Sequence, residues 1–81
     1  MAKMNTSEFI ADREFRFKLK IERMKQHMSQ SELADKSGLS RGTISSIENP
    51  DKSVEYMSVL KYLDALGLEL SFKSKPEYMK D

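Results

Sequence analysis

The chain has 81 residues, enough for one small domain with a limited core, so a second copy would add to its stability. It has no cysteine, which excludes a disulfide framework and a thiolate metal site, and no apolar run long enough to span a membrane. The net charge of +1 argues neither for nor against a nucleic-acid partner; any positive field must be local.

Residues 1–6 read as a flexible arm, and with no apolar signal core in Met1–Ser7 the expectation is a cytoplasmic protein. A helix is predicted from near Ser7 or Asp12 to about Gln26. Its apolar pattern is double. Phe17, Ile21, Met24 and Met28, with Ile10 in phase, form one stripe, and Phe15 and Leu19 lie nearly opposite. A helix apolar on two sides usually buries both. One stripe is expected to pack on the rest of the domain and the other to meet a second subunit or the arm, unless Phe15 is simply a half-exposed aromatic. Arg13, Arg16, Lys18, Lys20, Arg23 and Lys25 are interleaved with Asp12, Glu14 and Glu22. They read as a solvated face with i,i+4 pairs such as Glu14 with Lys18. His27 has neither a second histidine nor a cysteine to work with, and reads as a loop residue.

Ser29–Glu48 reads as two short helices joined by a tight turn. Ser29 can cap the first, with Glu32 completing a capping box. Leu33 and Ala34 point inward, Gly38 suits the left-handed position that ends a helix, Leu39 plugs the turn, and Ser40 can cap the second helix. Ile44 and Ile47 share one face of that helix, which leaves Arg41, Gly42, Thr43, Ser45 and Ser46 pointing elsewhere. A helix with an anchored back and a front of Arg, Thr and Ser can present hydrogen-bonding groups to a groove of DNA.

Pro50 makes it unfavourable for Asn49 to continue the helix, so 49–52 is a turn. Ser53 is the expected cap of the next helix, with Tyr56, Val59, Leu60, Leu63 and Leu66 as its inward stripe and Gly67 as its end. The period then changes: Leu68, Leu70 and Phe72 alternate with Glu69, Ser71 and Lys73, a strand with one buried face, bounded by Pro76. No second strand is visible for it to pair with. The economical partner is the same strand of a second copy across a two-fold axis; the alternative is an extended tail packed on its own domain.

Ser-Gln-x-x-Leu-Ala at 29–34, Gly-Leu-Ser at 38–40 and Thr-Ile-Ser-x-Ile-Glu at 43–48 resemble the helix-turn-helix of the phage-repressor-like (XRE/Cro) family of DNA-binding proteins. The downstream IENPDKSVEYMSVLKYLDALGLELSF is similar to the antitoxin branch typified by HipB, which ends in a short strand. The resemblance covers roughly residues 15–75. It implies an all-α, phage-repressor-like domain of four to five helices, with a C-terminal strand that pairs across a homodimer as a two-stranded ribbon through Leu68, Leu70 and Phe72. It implies that Arg23 pairs with Glu48. The chain departs from the family pattern at Glu22, where an apolar residue is usual, and at His27, where glycine is usual.

The resemblance also places the DNA-contacting residues. Gln30, at a helix N-terminus that favours anions, would meet the sugar-phosphate backbone, with Ser29, Ser40, Asn49 and Lys52 as helpers. Arg41, Gly42, Thr43 and Ser46 would lie on or beside the major-groove edges, and Ser45 nearer the backbone. Arg41 can bond guanine O6 and N7 together, Thr43 can set its methyl against thymine, and Gly42 allows close backbone approach. Each has a plainer alternative: the hydroxyls as helix caps, Arg41 paired with Asp35 or Glu32.

The expected organisation is an arm at 1–6, a DNA-binding domain at 7–67, a dimerisation strand at 68–75 and a flexible tail at 76–81. The expected function is a sequence-specific, autoregulatory repressor that is also an antitoxin. Its partners would be a palindromic double-stranded operator, a second copy, and a HipA-like serine/threonine kinase toxin or a toxin of another class. The tail lacks the tryptophan ending found in that branch. A free-standing regulator, or an interaction module that has lost DNA binding, stays open. No acid/base pair, nucleophile, phosphate loop, metal site or cofactor site is visible, so neither catalysis nor a membrane association is expected.

Overall fold

A computed structural model describes residues 5–76. Most of the expected 1–6 arm and all but Pro76 of the expected 76–81 tail lie outside them. The order is α1 (Thr6–Lys25), α2 (Gln30–Ser37), α3 (Arg41–Ile47) and α4 (Tyr56–Ala65). α1 starts at Thr6, slightly ahead of the Ser7 or Asp12 expected, because Asn5 caps it. The Asn5 side chain accepts from Glu8 N–H at 2.8 Å while the Glu8 carboxylate receives Asn5 N–H. Its far end closes with Met28 N–H on Arg23 O and His27 N–H on Met24 O, which requires a left-handed residue between helix and turn. His27 supplies it at φ 57°, a conformation that glycine adopts without steric cost.

α2, α3 and α4 pack on one another, and α1 closes the cluster. Leu33, Ile44, Ile47 and Tyr62 are fully buried, with Leu19, Ala34, Val59, Leu63, Ala65 and Leu66 around them and Met28, Leu39, Val54 and Leu68 at the rim. This set brings the backs of α2 and α3 against α4, which fixes the angle at which α3 is presented.

The structure decides which side of α1 packs, and it corrects three sequence expectations. Of the stripe Phe17, Ile21, Met24 and Met28 with Ile10 in phase, Ile10, Phe17 (63 %) and Met24 are exposed, Ile21 is half-buried and Met28 reaches the rim of the core, while the side that packs is Arg16, Leu19 and Arg23. Two arginines are buried there because each has carbonyl or carboxylate partners, while their aliphatic stems line apolar neighbours. The charges of α1 are therefore not a uniform solvated face. Arg16 pairs with Asp12 at 3.0 Å and Lys25 with Glu22 at 3.3 Å, in place of the expected Glu14–Lys18 contact. On α4, Tyr56 is exposed and Tyr62 takes the inward place, since its phenol finds partners in the core. Ser53 does not cap α4: the cap position is Glu55, and no side chain bonds to the helix start.

α4 ends on Gly67 at φ 73°, with Leu68 N–H returning to Leu63 O at 2.9 Å. Residues 68–76 then have no assigned regular structure. Leu68 is half-buried on the core, whereas Leu70 is exposed and Phe72 is 99 % exposed. A strand is defined by a ladder partner, and the described residues of one chain supply none for this segment.

Candidate nucleic-acid interface

The turn between α2 and α3 is built as its residue types dictate. Ser29 Oγ accepts from Glu32 N–H at 3.0 Å and the Glu32 carboxylate accepts from Ser29 N–H, which holds that carboxyl below the usual carboxylate range. Gly38, at φ 76°, ends α2. Ser40 caps α3 by accepting from Thr43 N–H at 3.0 Å, and its hydroxyl also bonds Thr43 Oγ1 at 2.9 Å. With Ile44 and Ile47 sealed in the core, Arg41, Gly42 and Ser45 are exposed and Thr43 and Ser46 half-buried. Arg41 makes no ion pair with Asp35, Glu32 or any other acid among the described residues, and it is exposed. A polar hollow beside α3 is lined by Ser40, Gly42, Thr43 and Ser46, with Ser53, Glu55 and Ser58 from the approach to α4 and its first turn.

The same surface extends to Gln30 and to the loop after α3. Gln30 Nε2 donates to Glu48 Oε1 at 3.2 Å, so its side chain is held before any ligand arrives. In the loop, Asn49 Oδ1 accepts from Asp51 N–H at 2.9 Å and Asn49 O from Lys52 N–H at 3.0 Å, a local closure typical of asparagine. Lys52 is exposed. Gly42 has an ordinary helical φ, and a Cβ placed there would meet nothing nearer than Ser40 Oγ at 3.9 Å. Gly42→Ala should therefore be accepted by the fold and raise its stability by about 0.5–1 kcal/mol in urea unfolding. If close backbone approach is the role of Gly42, the same variant binds DNA more weakly despite being more stable.

Behind the surface lies a charge network. Arg23 Nε and Nη2 donate to the two oxygens of Glu48 at 2.7 and 2.9 Å, and Arg23 Nη1 donates to Met28 O at 2.7 Å. The Tyr62 hydroxyl sits 2.6 Å from Glu48 Oε2 and 3.0 Å from Leu19 O; it has one hydrogen, and the shorter, charge-assisted bond takes it. Burial pushes the Glu48 carboxyl up, but donors from Arg23, Tyr62 and Gln30 outweigh it and hold the carboxyl below its ordinary range. Burial, and after it the Glu48 carboxylate, pushes the Tyr62 phenol up. The hydrogen bond to Glu48 raises Arg23 further. No buried side-chain nitrogen or oxygen among the described residues lacks a partner.

Two buried polar residues behind the surface lie outside the sequence expectations, Arg16 on the loop after α3 and Tyr62 on Glu48. Arg16 shares a helix face with Leu19 and Arg23, a spacing visible in the sequence, where its charge reads as part of a solvated face. Tyr62 completes the run Val59, Tyr62, Leu63, Leu66, and the hydroxyl that decides its place has no sequence signature. Among the described residues no cluster of metal-ligating side chains occurs, and no helix is long and apolar enough to cross a membrane.

Comparison with known proteins agrees with this geometry. Residues 19–73 match the family described as Helix-turn-helix. No curated protein matches the sequence. Among solved structures, a chain of the "Structure of HipA-HipB-O2-O3 complex" aligns with a TM-score of 0.74 and 25 % identity, covering 94 % of this chain and 100 % of that one. One described as "MDT Protein" aligns with a TM-score of 0.73 and 27 % identity over the same shares. The chain belongs to the XRE-type helix-turn-helix family of DNA-binding proteins.

Proposed function

We propose that this protein is a sequence-specific repressor that occludes the promoter of its own operon, and an antitoxin that restrains a toxin encoded with it. The observation that carries the DNA half is α3: its apolar back is sealed by Ile44 and Ile47 while Arg41 and the hydroxyl-bearing front remain open. Arg41, Thr43 and Ser46 read base edges, with Gly42 allowing close approach, and Ser29, Gln30, Ser40, Ser45, Asn49 and Lys52 contact the backbone. Reading a palindrome takes two copies with their recognition helices about 34 Å apart.

The dimer is formed by pairing of the 68–75 segments, which would cover Leu70 and the fully exposed Phe72. Phe72→Asp should therefore leave the four helices intact by circular dichroism and shift the protein toward monomer in analytical ultracentrifugation; an unchanged dimer would rule this ribbon out. Likeness to a chain of the HipA-HipB-O2-O3 complex supports a partner of HipA type, and the family resemblance of the sequence implies that this partner is a serine/threonine kinase toxin. A pull-down of the native complex identifies it, and the absence of any partner under native expression would reduce the proposal to a free-standing regulator.

The test of the central reading is fluorescence anisotropy with DNA from upstream of the protein's own gene and a shuffled control, each across a salt series. Tight binding to the first alone with a steep salt slope is expected. Equal and weak binding to both would point to an interaction module that has kept the fold and lost DNA reading.

A further inference from the structure

Arg16 is only 8 % exposed, and its guanidinium spans elements far apart in the chain. Nε donates to Asp12 Oδ1 at 3.0 Å, while Nη1 lies 3.1 Å from Ser46 O, 2.7 Å from Asn49 O and 2.6 Å from Lys52 O. Nη1 carries two hydrogens, so three carbonyls share them. Ser46 O belongs to the last turn of α3, where it also accepts from Asn49 N–H at 3.2 Å, and the other two belong to the loop that follows. One buried cation thus gathers both ends of the 49–52 loop and the end of the recognition helix onto α1.

We infer that Arg16 is a positioning residue for DNA binding: it holds the 49–52 loop so that Lys52 and Asn49 meet the phosphate backbone. This rests on the DNA-binding reading above. Arg16 itself is buried and paired with Asp12, so it acts through the loop and does not touch phosphate. The loop needs such a hold because Asp51 stands beside Lys52, and both are exposed. A loop free to turn presents either charge to the phosphates, and the two cancel. With its carbonyls drawn inward to one nitrogen, the loop has a defined outer side.

The experiment compares wild type, Arg16→Met, Arg16→Lys, Lys52→Ala and the Arg16→Lys/Lys52→Ala double variant. DNA anisotropy is measured across a salt series at a temperature where circular dichroism shows each protein folded. Arg16→Lys keeps the charge and supports the test if Arg16→Met does not fold. The expected result is that Arg16→Lys binds all sequences more weakly. Its slope of log affinity against log salt should be shallower by about 0.9 for each phosphate the loop ceases to neutralise, matching Lys52→Ala. The double variant should keep the salt slope of Lys52→Ala, because Lys52 is the one charge the loop brings to phosphate and Asn49 is neutral. Amide exchange of Asp51 and Lys52 in the free protein should rise in Arg16→Lys. If wild type binds its upstream DNA specifically and folded Arg16→Lys keeps the same affinity and slope, the positioning role is overturned. If wild type shows no specific binding, the DNA-binding reading is what fails, and amide exchange alone then reports on the clamp.

Discussion

Glu48→Ala is expected to destabilise the domain by about 3–5 kcal/mol, because it leaves a buried guanidinium without its carboxylate. Arg23 is 8 % exposed and donates twice to Glu48, and Tyr62 and Gln30 lose an acceptor in the same step. Single domains are stable by only about 5–15 kcal/mol, so such a loss removes much of the total. Urea or thermal unfolding measures it; a change under about 1 kcal/mol would mean that the network contributes little. A paired replacement, Arg23→Met with Glu48→Leu, should cost less than Glu48→Ala, since the destabilisation comes from the stranded charge more than from the missing attraction.

The same group sets a pH dependence. Glu48 is held below its ordinary value of 4.5 in the folded state, so the folded chain binds its proton less readily than the unfolded chain does. The stability it contributes is therefore complete above about pH 4.5 and lost as the pH falls through the folded value. Glu48→Gln has no such proton to bind. Its stability should fall less steeply than that of wild type below pH 4.5, and parallel curves would assign the acid sensitivity to other carboxyls.

The second large effect is on recognition. Arg41→Ala should weaken binding to the upstream DNA by about 1–3 kcal/mol and relax specificity at one base pair, if its fork reads guanine. Stability should be nearly unchanged, because Arg41 is exposed and makes no ion pair among the described residues. Anisotropy against a panel of single-base operator variants separates the outcomes. A uniform loss at every variant would make Arg41 a phosphate-binding residue, and no loss would remove it from the interface.

These two residues illustrate what can be read from a sequence of this kind. The pieces around Arg41 are local: caps at Ser29 and Ser40, a left-handed glycine at Gly38, and an isoleucine pair three apart on α3. Each depends on neighbours within four positions, and each is where those positions put it. Glu48 and Arg23 are 25 positions apart, and their pairing was reached only through resemblance to a family.

The sequence by itself determined the four helices, the turn that sets α2 against α3, and the side chains α3 leaves open. Capping, glycine conformation and helical periodicity act within one or two turns, and their signals are written in consecutive residues. Only the tertiary structure decided which face of α1 is buried, that Tyr62 and not Tyr56 turns inward, and that Glu48 gathers Arg23, Tyr62 and Gln30. It also decided that Arg16 is a clamp on the 49–52 loop. Burial of a charged or phenolic side chain depends on whether distant carbonyls and carboxylates arrive to satisfy it, and that is settled only when the helices pack.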